Sequence, residues 1–242
     1  MDLEKKAKEL RIKTLDLCLE EGEGHIGGSF SEIEVLISLF DFILLPEDKF
    51  ILSKGHACYP YYLLLKEKGF NPKISGHPDF DPENNIHCTT GSLGHGLPIG
   101  VGMALSRKLK NKKGKIYVLI SDGECQEGTT WEASDVAAYH KLDNLIVILD
   151  HNKIQAIDKI KDVSLMNLRR KFEEFGRHVL EINGHDFQEI IESLKKEVKE
   201  KPYLIIAHTI KGKGVSYMEN TSEWHGRRPT EERLKQAYEE LK

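Results

Sequence analysis

Apolar runs at residues 115–120, 145–150, 178–182 and 203–208 punctuate the second half of the chain. Between them lie segments whose apolar residues recur at helical spacing, at about 130–141, 164–175 and 186–200. Strands alternating with helices of this length predict right-handed β-α-β units on a parallel sheet. The first half is more helical. Residues 2–20 read as an amphipathic helix, with Leu3, Leu10 and Leu15 among Lys and Glu. A glycine-rich EGEGHIGGS follows, with Gly22 as the turn that ends the helix. A helix is then expected at about 31–45, with Ser31 as its N-cap and Pro46 beyond its end. A short apolar run at 50–52 leads into Ser53-Lys54-Gly55-His56 and a helix to Lys68. A helix rich in small residues is expected at about 95–110. A last one at about 230–241 starts at Thr230, with Glu231 and Glu232 where acids suit a helix N-terminus. The expected fold class is α/β, an open, mostly parallel sheet flanked by helices on both faces.

The length of 242 residues suits one sizeable core, so residues 1–242 read as a single domain. The net charge of −4, without a basic tail or stripe, argues against nucleic acid. No apolar run approaches the ~18 residues of a membrane span. The N-terminus, MDLEKKAKEL, is too charged for a signal peptide. Cys18, Cys58, Cys88 and Cys125 form no C-x-x-C pair, which points to a reduced, cytoplasmic setting.

Two of the apolar runs end alike. The run at 115–120 stops at Ser121-Asp122-Gly123, and that at 145–149 stops at Asp150-His151-Asn152. In an open parallel sheet, ligands bind outside the carboxyl ends of the strands. If these strands are neighbours, Asp122 and Asn152 aim oxygens at one volume. Oxygen ligands with one full charge suit Mg²⁺ or Ca²⁺ rather than zinc, and Mg²⁺ so held leaves positions for phosphates. Gly123 would allow a phosphate close to the backbone. Asp-Gly and His-Asn are also ordinary turn residues after strands.

Asp122-Gly123, with Asn152 thirty residues after Asp122, resembles the thiamine diphosphate-binding motif. Ser121 stands where that motif usually begins with glycine. The segments GEGHIGGS, SKGHA, SGHPD, TTGSLGHG, ECQEGTTWEA, HTIKGKG and WHG follow in the order found in transketolases. The resemblance spans almost the whole chain. It implies that Asp122, Asn152 and the carbonyl of Ile154 bind the metal. It implies that His25 and His77 face the sugar, His77 at the donor's hydroxyl end. His56 and His225 would meet both the diphosphate and the substrate, while Gly91 and Leu93 contact the cofactor's rings. Glu127, with Glu132 a weaker candidate, would join a hydrogen-bonded network at the subunit interface. Ser92 and His95 depart from the proline and glutamine common in the family loop, which bears on substrate preference rather than fold.

Other motif readings fail on context. GEGHIG matches G-x-G-x-x-G, but a helix rather than a strand precedes it, so it is no dinucleotide fingerprint. GSLGHG lacks the Lys-Ser/Thr ending of a P-loop. No H-E-x-x-H or paired cysteine spacing supports zinc.

The family also uses a pyrimidine-binding domain, whose glutamate activates the cofactor, and this sequence shows no counterpart of it. The chain therefore reads as the N-terminal, diphosphate-binding half of a split transketolase. A C-terminal partner subunit would complete it, with two copies of each chain. The implied reaction moves a two-carbon ketol unit from a ketose donor to an aldose acceptor. Two alternatives stay open: the alpha subunit of a 2-oxoacid dehydrogenase, and a non-catalytic binding subunit.

Overall fold

The computed structural model describes residues 2–22, 24–164 and 167–242. Helix α1, Leu3–Glu20, is capped by Asp2, whose side chain accepts from Lys5 N at 3.0 Å. It buries Ala7, Leu10, Arg11, Thr14, Leu15 and Cys18, one stripe at helical spacing. Gly22 follows in the left-handed region at φ +74°, as a helix-ending turn requires. Two short helices come next, α2 (Ile26–Ser31) and α3 (Ile33–Ser38), prolonged by a π turn over Leu39–Ile43. The expected helix at 31–45 is thus mistaken at its start. Ser31 ends a helix instead of capping one, because its hydroxyl donates to the buried carboxylate of Asp150 at 2.7 Å.

Strand β1 (Lys49–Leu52) precedes α4 (Tyr59–Glu67) and α5 (Gly96–Leu109). Then β2 (Ile116–Ser121), α6 (Gly128–Tyr139) and β3 (Leu145–His151) alternate as predicted. The single helix expected at 164–175 is instead α7 (Ile160–Val163) and α8 (Leu168–Glu174). Asn167 caps α8 by accepting from Arg170 N; Leu165 and Met166 lie outside the described residues. Strand β4 (His178–Asn183), α9 (Phe187–Lys195), β5 (Tyr203–His208) and α10 (Glu231–Leu241) complete the order. Helix α9 stops short of residue 200 because Lys196 turns to extended backbone. Thr230 occupies the N-cap of α10, but its side chain makes no capping bond. No helix among the described residues is long and apolar enough to cross a membrane.

The five described strands form one parallel sheet in the order β1-β2-β3-β5-β4. Every residue of β2 is buried, as expected when helices cover both faces. Alternation sorts the side chains. Tyr117, Leu119, Ile146, Ile148, Tyr203 and Ile205 share one core with residues of α1, α3, α4, α9 and α10. Val118, Ile120, Val147, Leu149, Leu204 and Ile206 share the other with α5, α6 and α8. Ser121 pairs with Asp150 in register, so Asp122 and Asn152 leave adjacent strands at the same end.

Beneath that end lies a buried ionic cluster. Lys54 Nζ is 2.5 Å from Asp150 Oδ2 and 2.8 Å from Glu32 Oε2, and it donates to Gly28 O at 2.9 Å. All three charged residues are at most 1% exposed. Burial would raise the Asp150 carboxyl, but the Lys54 charge and donors from Lys54, Thr209 and Ser31 hold it below its usual range. Glu32 is pushed up to about 8 by burial, which the shared Lys54 offsets only in part. Of the two carboxyls around Lys54, Glu32 is the one whose charged form is disfavoured.

Lys54→Met would strand the Asp150 charge. We expect a loss of about 3–5 kcal/mol, read as a Tm lower by roughly 10 °C in the full chain. Adding Asp150→Asn should recover much of it, whereas an unchanged Tm in the single variant would show that the cluster does not hold the fold. Glu32 gives a pH signature of known sign. Its folded pKa lies above the unfolded value, so its contribution is present below the unfolded pKa and lost as pH rises to about 8. Melting curves of Glu32→Gln should show a shallower fall in Tm over that window than the wild-type chain; parallel pH profiles for the two proteins would contradict the assignment.

Candidate functional site

The loops leaving the carboxyl ends of β1, β2, β3 and β5 meet the glycine-rich turn before α2 and the loop before α5. They enclose a cavity of about 330 Å³. Cavities of about 620 and 750 Å³ open elsewhere, but neither gathers the histidines and Asp122. Of the predicted residues, His25, His56, Gly91, Leu93, Asp122 and Gly123 line the 330 Å³ cavity, as do Glu127, Asn152, Ile154 and His225. His77 does not line it. It is exposed at the rim, its ring packed on Gly91 so closely that a Cβ there would lie 2.8 Å from it. Glu132 points to solvent from α6.

Asp122 follows β2 and is 2% exposed. Its Oδ1 accepts from Gly123 N at 2.8 Å and its Oδ2 from Lys153 N at 2.5 Å. Burial, with Asp150 nearby, pushes its carboxyl up to about 7 against those hydrogen bonds and the pull of Lys211. Asn152 is oriented by its neighbours. Its Nδ2 donates to Asp150 at 3.0 Å, and its Oδ1 accepts from Ile154 N at 3.1 Å. The Ile154 carbonyl accepts from Lys211 Nζ at 3.4 Å. A buried carboxylate, an amide oxygen and a carbonyl thus line one cavity, with an ammonium touching the third. A carboxylate destabilised by burial is a site where a hard divalent cation would be favoured, so the oxygen set fits such an ion.

In the same cavity three imidazoles form a triangle. Ring centroids are 5.3 Å apart for His25–His56, 5.5 Å for His25–His225 and 5.7 Å for His56–His225. Burial, reinforced by Lys54 and the neighbouring rings, holds His56 well below the usual histidine range. Burial and Lys211 lower His225 to about 4. Lys211 Nζ lies 2.6 Å from His225 Nδ1. An ammonium can only donate, so Nδ1 accepts and the ring proton sits on Nε2.

Sequence reasoning missed three residues here. Lys211 is 2% exposed, lowered to about 8 by burial, and touches both the Ile154 carbonyl and His225. Lys54 lines the cavity floor. Glu124, fully buried, accepts from Ser53 Oγ and from Gly94 N at 2.8 Å, and so ties the loop before α5 to the turn after β2. Each stands inside one of the family-like segments. The available signal is a long charged side chain among small residues, where no solvent-facing periodicity calls for one.

Comparison with known proteins gives the family. The family described as transketolase, thiamine diphosphate binding domain, matches residues 3–241. The chain is 40% identical to an apulose-4-phosphate transketolase subunit of Actinobacillus succinogenes, covering 100% of this chain and 96% of that one. It is 37% identical to the 6-deoxy-6-sulfo-D-fructose transketolase subunit SqwG of a Clostridium species, with the same coverage. The solved transketolase of Campylobacter jejuni superposes with a TM-score of 0.86 at 33% identity, over 99% of this chain and 42% of that one. That of Leishmania mexicana superposes with a TM-score of 0.91 at 25% identity, over 100% and 41%. The chain therefore spans about two-fifths of those solved enzymes and nearly all of the relatives named as subunits. The family match over residues 3–241 and the relatives at 37–40% identity show that the chain belongs to the transketolase family, as its thiamine diphosphate-binding domain.

Proposed function

We propose that this chain is the diphosphate-binding subunit of a two-chain transketolase, and that it moves a two-carbon ketol unit from a ketose to an aldose. The observation that carries the proposal is the placement of Asp122, Asn152 and the Ile154 carbonyl in one cavity with His25, His56 and His225. The relatives of matching length are named as transketolase subunits, which supports a C-terminal partner. The family assignment disfavours the dehydrogenase alternative. In this reading the assembly holds two copies of each chain. The lack of any C-x-x-C pair among the four cysteines suits a cytoplasmic enzyme.

Asp122, Asn152 and Ile154 would hold Mg²⁺, with Ca²⁺ a possible substitute. Lys211 and His56 would face the diphosphate, and Gly123 would let it approach the backbone. Thiamine diphosphate, when bound, supplies the nucleophilic carbon and the electron sink for breaking a ketose C–C bond. The chain's own work is orientation and proton movement. His225 offers a donor N–H at Nε2, while His25 and His56 stand beside it. With their charged forms disfavoured, His56 and His225 can exchange protons with sugar hydroxyls at neutral pH without carrying a standing charge. His77, at the rim on Gly91, would meet the far end of the donor. Gly91 and Leu93 would pack on the cofactor's rings, and Glu127, exposed beside them, would meet the neighbouring subunit. The two named relatives act on sugars bearing a phosphate or a sulfo group. A donor with an anionic terminus is therefore the first class to test.

Asp122→Ala should leave the fold intact by circular dichroism and weaken thiamine diphosphate binding roughly 100-fold or more, as loss of a buried charged partner implies. Calorimetry with Mg²⁺ and the partner subunit reads this directly; unchanged affinity would remove Asp122 from the metal set. Complementation tests the two-chain reading and separates it from a non-catalytic subunit. Without the partner, ketol transfer should fall by at least about 10²–10⁴, the usual cost of losing a positioned acid–base group. Full transfer by this chain alone, or none with the partner under saturating cofactor and Mg²⁺, would refute it.

A further inference from the structure

Lys211 reaches two groups of the site at once, so the backbone that carries it must be fixed. Thr209, two residues before, hydrogen-bonds Asp150 through its side chain. Gly212, one residue after, donates to Gly27 O at 3.0 Å. The link between these anchors is Ile210, whose N–H donates to His185 Nε2 at 2.8 Å. His185 lies in the connection between β4 and α9 and does not line the cavity.

The acceptor role of Nε2 decides the rest of the ring. A backbone N–H can only donate, so Nε2 is unprotonated and Nδ1 carries the hydrogen. That hydrogen points to Glu34 Oε2 at 3.0 Å. Glu34 is buried, and Arg11 grips both its oxygens through Nη2, at 2.7 and 2.9 Å. Arg11 is itself fixed by Phe30 O at 3.2 Å. A chain of donors and acceptors thus runs from α1, through α3 and the β4–α9 connection, to the loop after β5. Each link sets the orientation of the next.

We propose that His185 is a positioning residue of the site: by accepting the Ile210 N–H it holds Lys211 where its ammonium donates to His225 Nδ1, and so fixes the His225 proton on Nε2. His185 touches neither cofactor nor substrate in this scheme. For its catalytic meaning the inference rests on the transketolase reading above; the positioning itself does not.

Two substitutions separate the links. His185→Gln can place a carbonyl oxygen near the former Nε2 and still accept from Ile210. His185→Asn keeps an amide donor near Nδ1 for Glu34 but cannot reach Ile210. In the wild-type full chain, ¹⁵N-histidine NMR should show His225 protonated on Nε2, together with a coupling across the hydrogen bond between Ile210 N and His185 Nε2. His185→Gln should keep the His225 signature and bind thiamine diphosphate, with Mg²⁺ and the partner, within about threefold of wild type. His185→Asn should mix the two His225 tautomers and weaken that binding roughly ten- to hundredfold, as expected for an unpaired backbone donor. An absent coupling in the wild type, or a His225 signature equally altered in both variants or in neither, would overturn the proposal. The wild-type coupling and the Gln variant keep the test decisive if His185→Asn does not fold. If the His225 signature shifts in His185→Asn alone while no protein, wild type included, binds thiamine diphosphate, the positioning stands and the cofactor reading falls.

Discussion

One ammonium under the sheet's carboxyl end governs the geometry above it. Lys54 comes from the loop after β1, Asp150 from β3 and Glu32 from the junction of α2 and α3. Their contact sets the height at which each segment enters the site. Asp150 in turn accepts from Ser31 and from Asn152, so the amide proposed as a metal ligand is oriented by the same carboxylate that neutralises Lys54. A buried pair of this kind is weak evidence for net stability, since well-packed apolar residues can do as well. Its value here lies in direction: apolar contacts could hold these segments together but could not orient the Asn152 amide between Asp150 and the Ile154 N–H.

The same economy governs charge across the cavity. Among the lining residues, Asp122 has its charge disfavoured by burial, and His56 and His225 are kept from charging by burial and by two lysines. The cavity thus gathers a carboxyl and two imidazoles whose charged forms are all disfavoured. Glu124 joins the loop before α5 to the turn after β2, so the cavity-lining Gly91 and Leu93 are referenced to the strand that delivers Asp122.

Much of this was legible in the sequence because the signals were local. Apolar runs gave the strands of the second half, and their abrupt polar ends gave Asp122 and Asn152. What escaped was set by distant partners. Ser31 looks like an N-cap, and only a carboxylate 119 residues away makes it the end of a helix. The short β1 carried too little periodicity to be read as a strand, and its place at the sheet's edge comes from pairing with β2. Lys54, Lys211 and His185 sit in segments that read as loops, where a charged or polar side chain carries no expectation of burial. Their roles appear only when the loops are brought face to face.

That separation along the chain has a kinetic side. The contacts that orient the site bridge 96 residues for Lys54 and Asp150, 119 for Ser31 and Asp150, and 151 for His185 and Glu34. Chain entropy opposes closing such loops before any contact rewards the closure, and parallel sheets with high contact order fold slowly for this reason. A fragment ending before β5 would lack Lys211 and His225. During synthesis Asp122 and its neighbours emerge long before β5 and the loop that carries Lys211. The ammonium that touches both the Ile154 carbonyl and His225 therefore reaches the site only when β5 takes its place between β3 and β4.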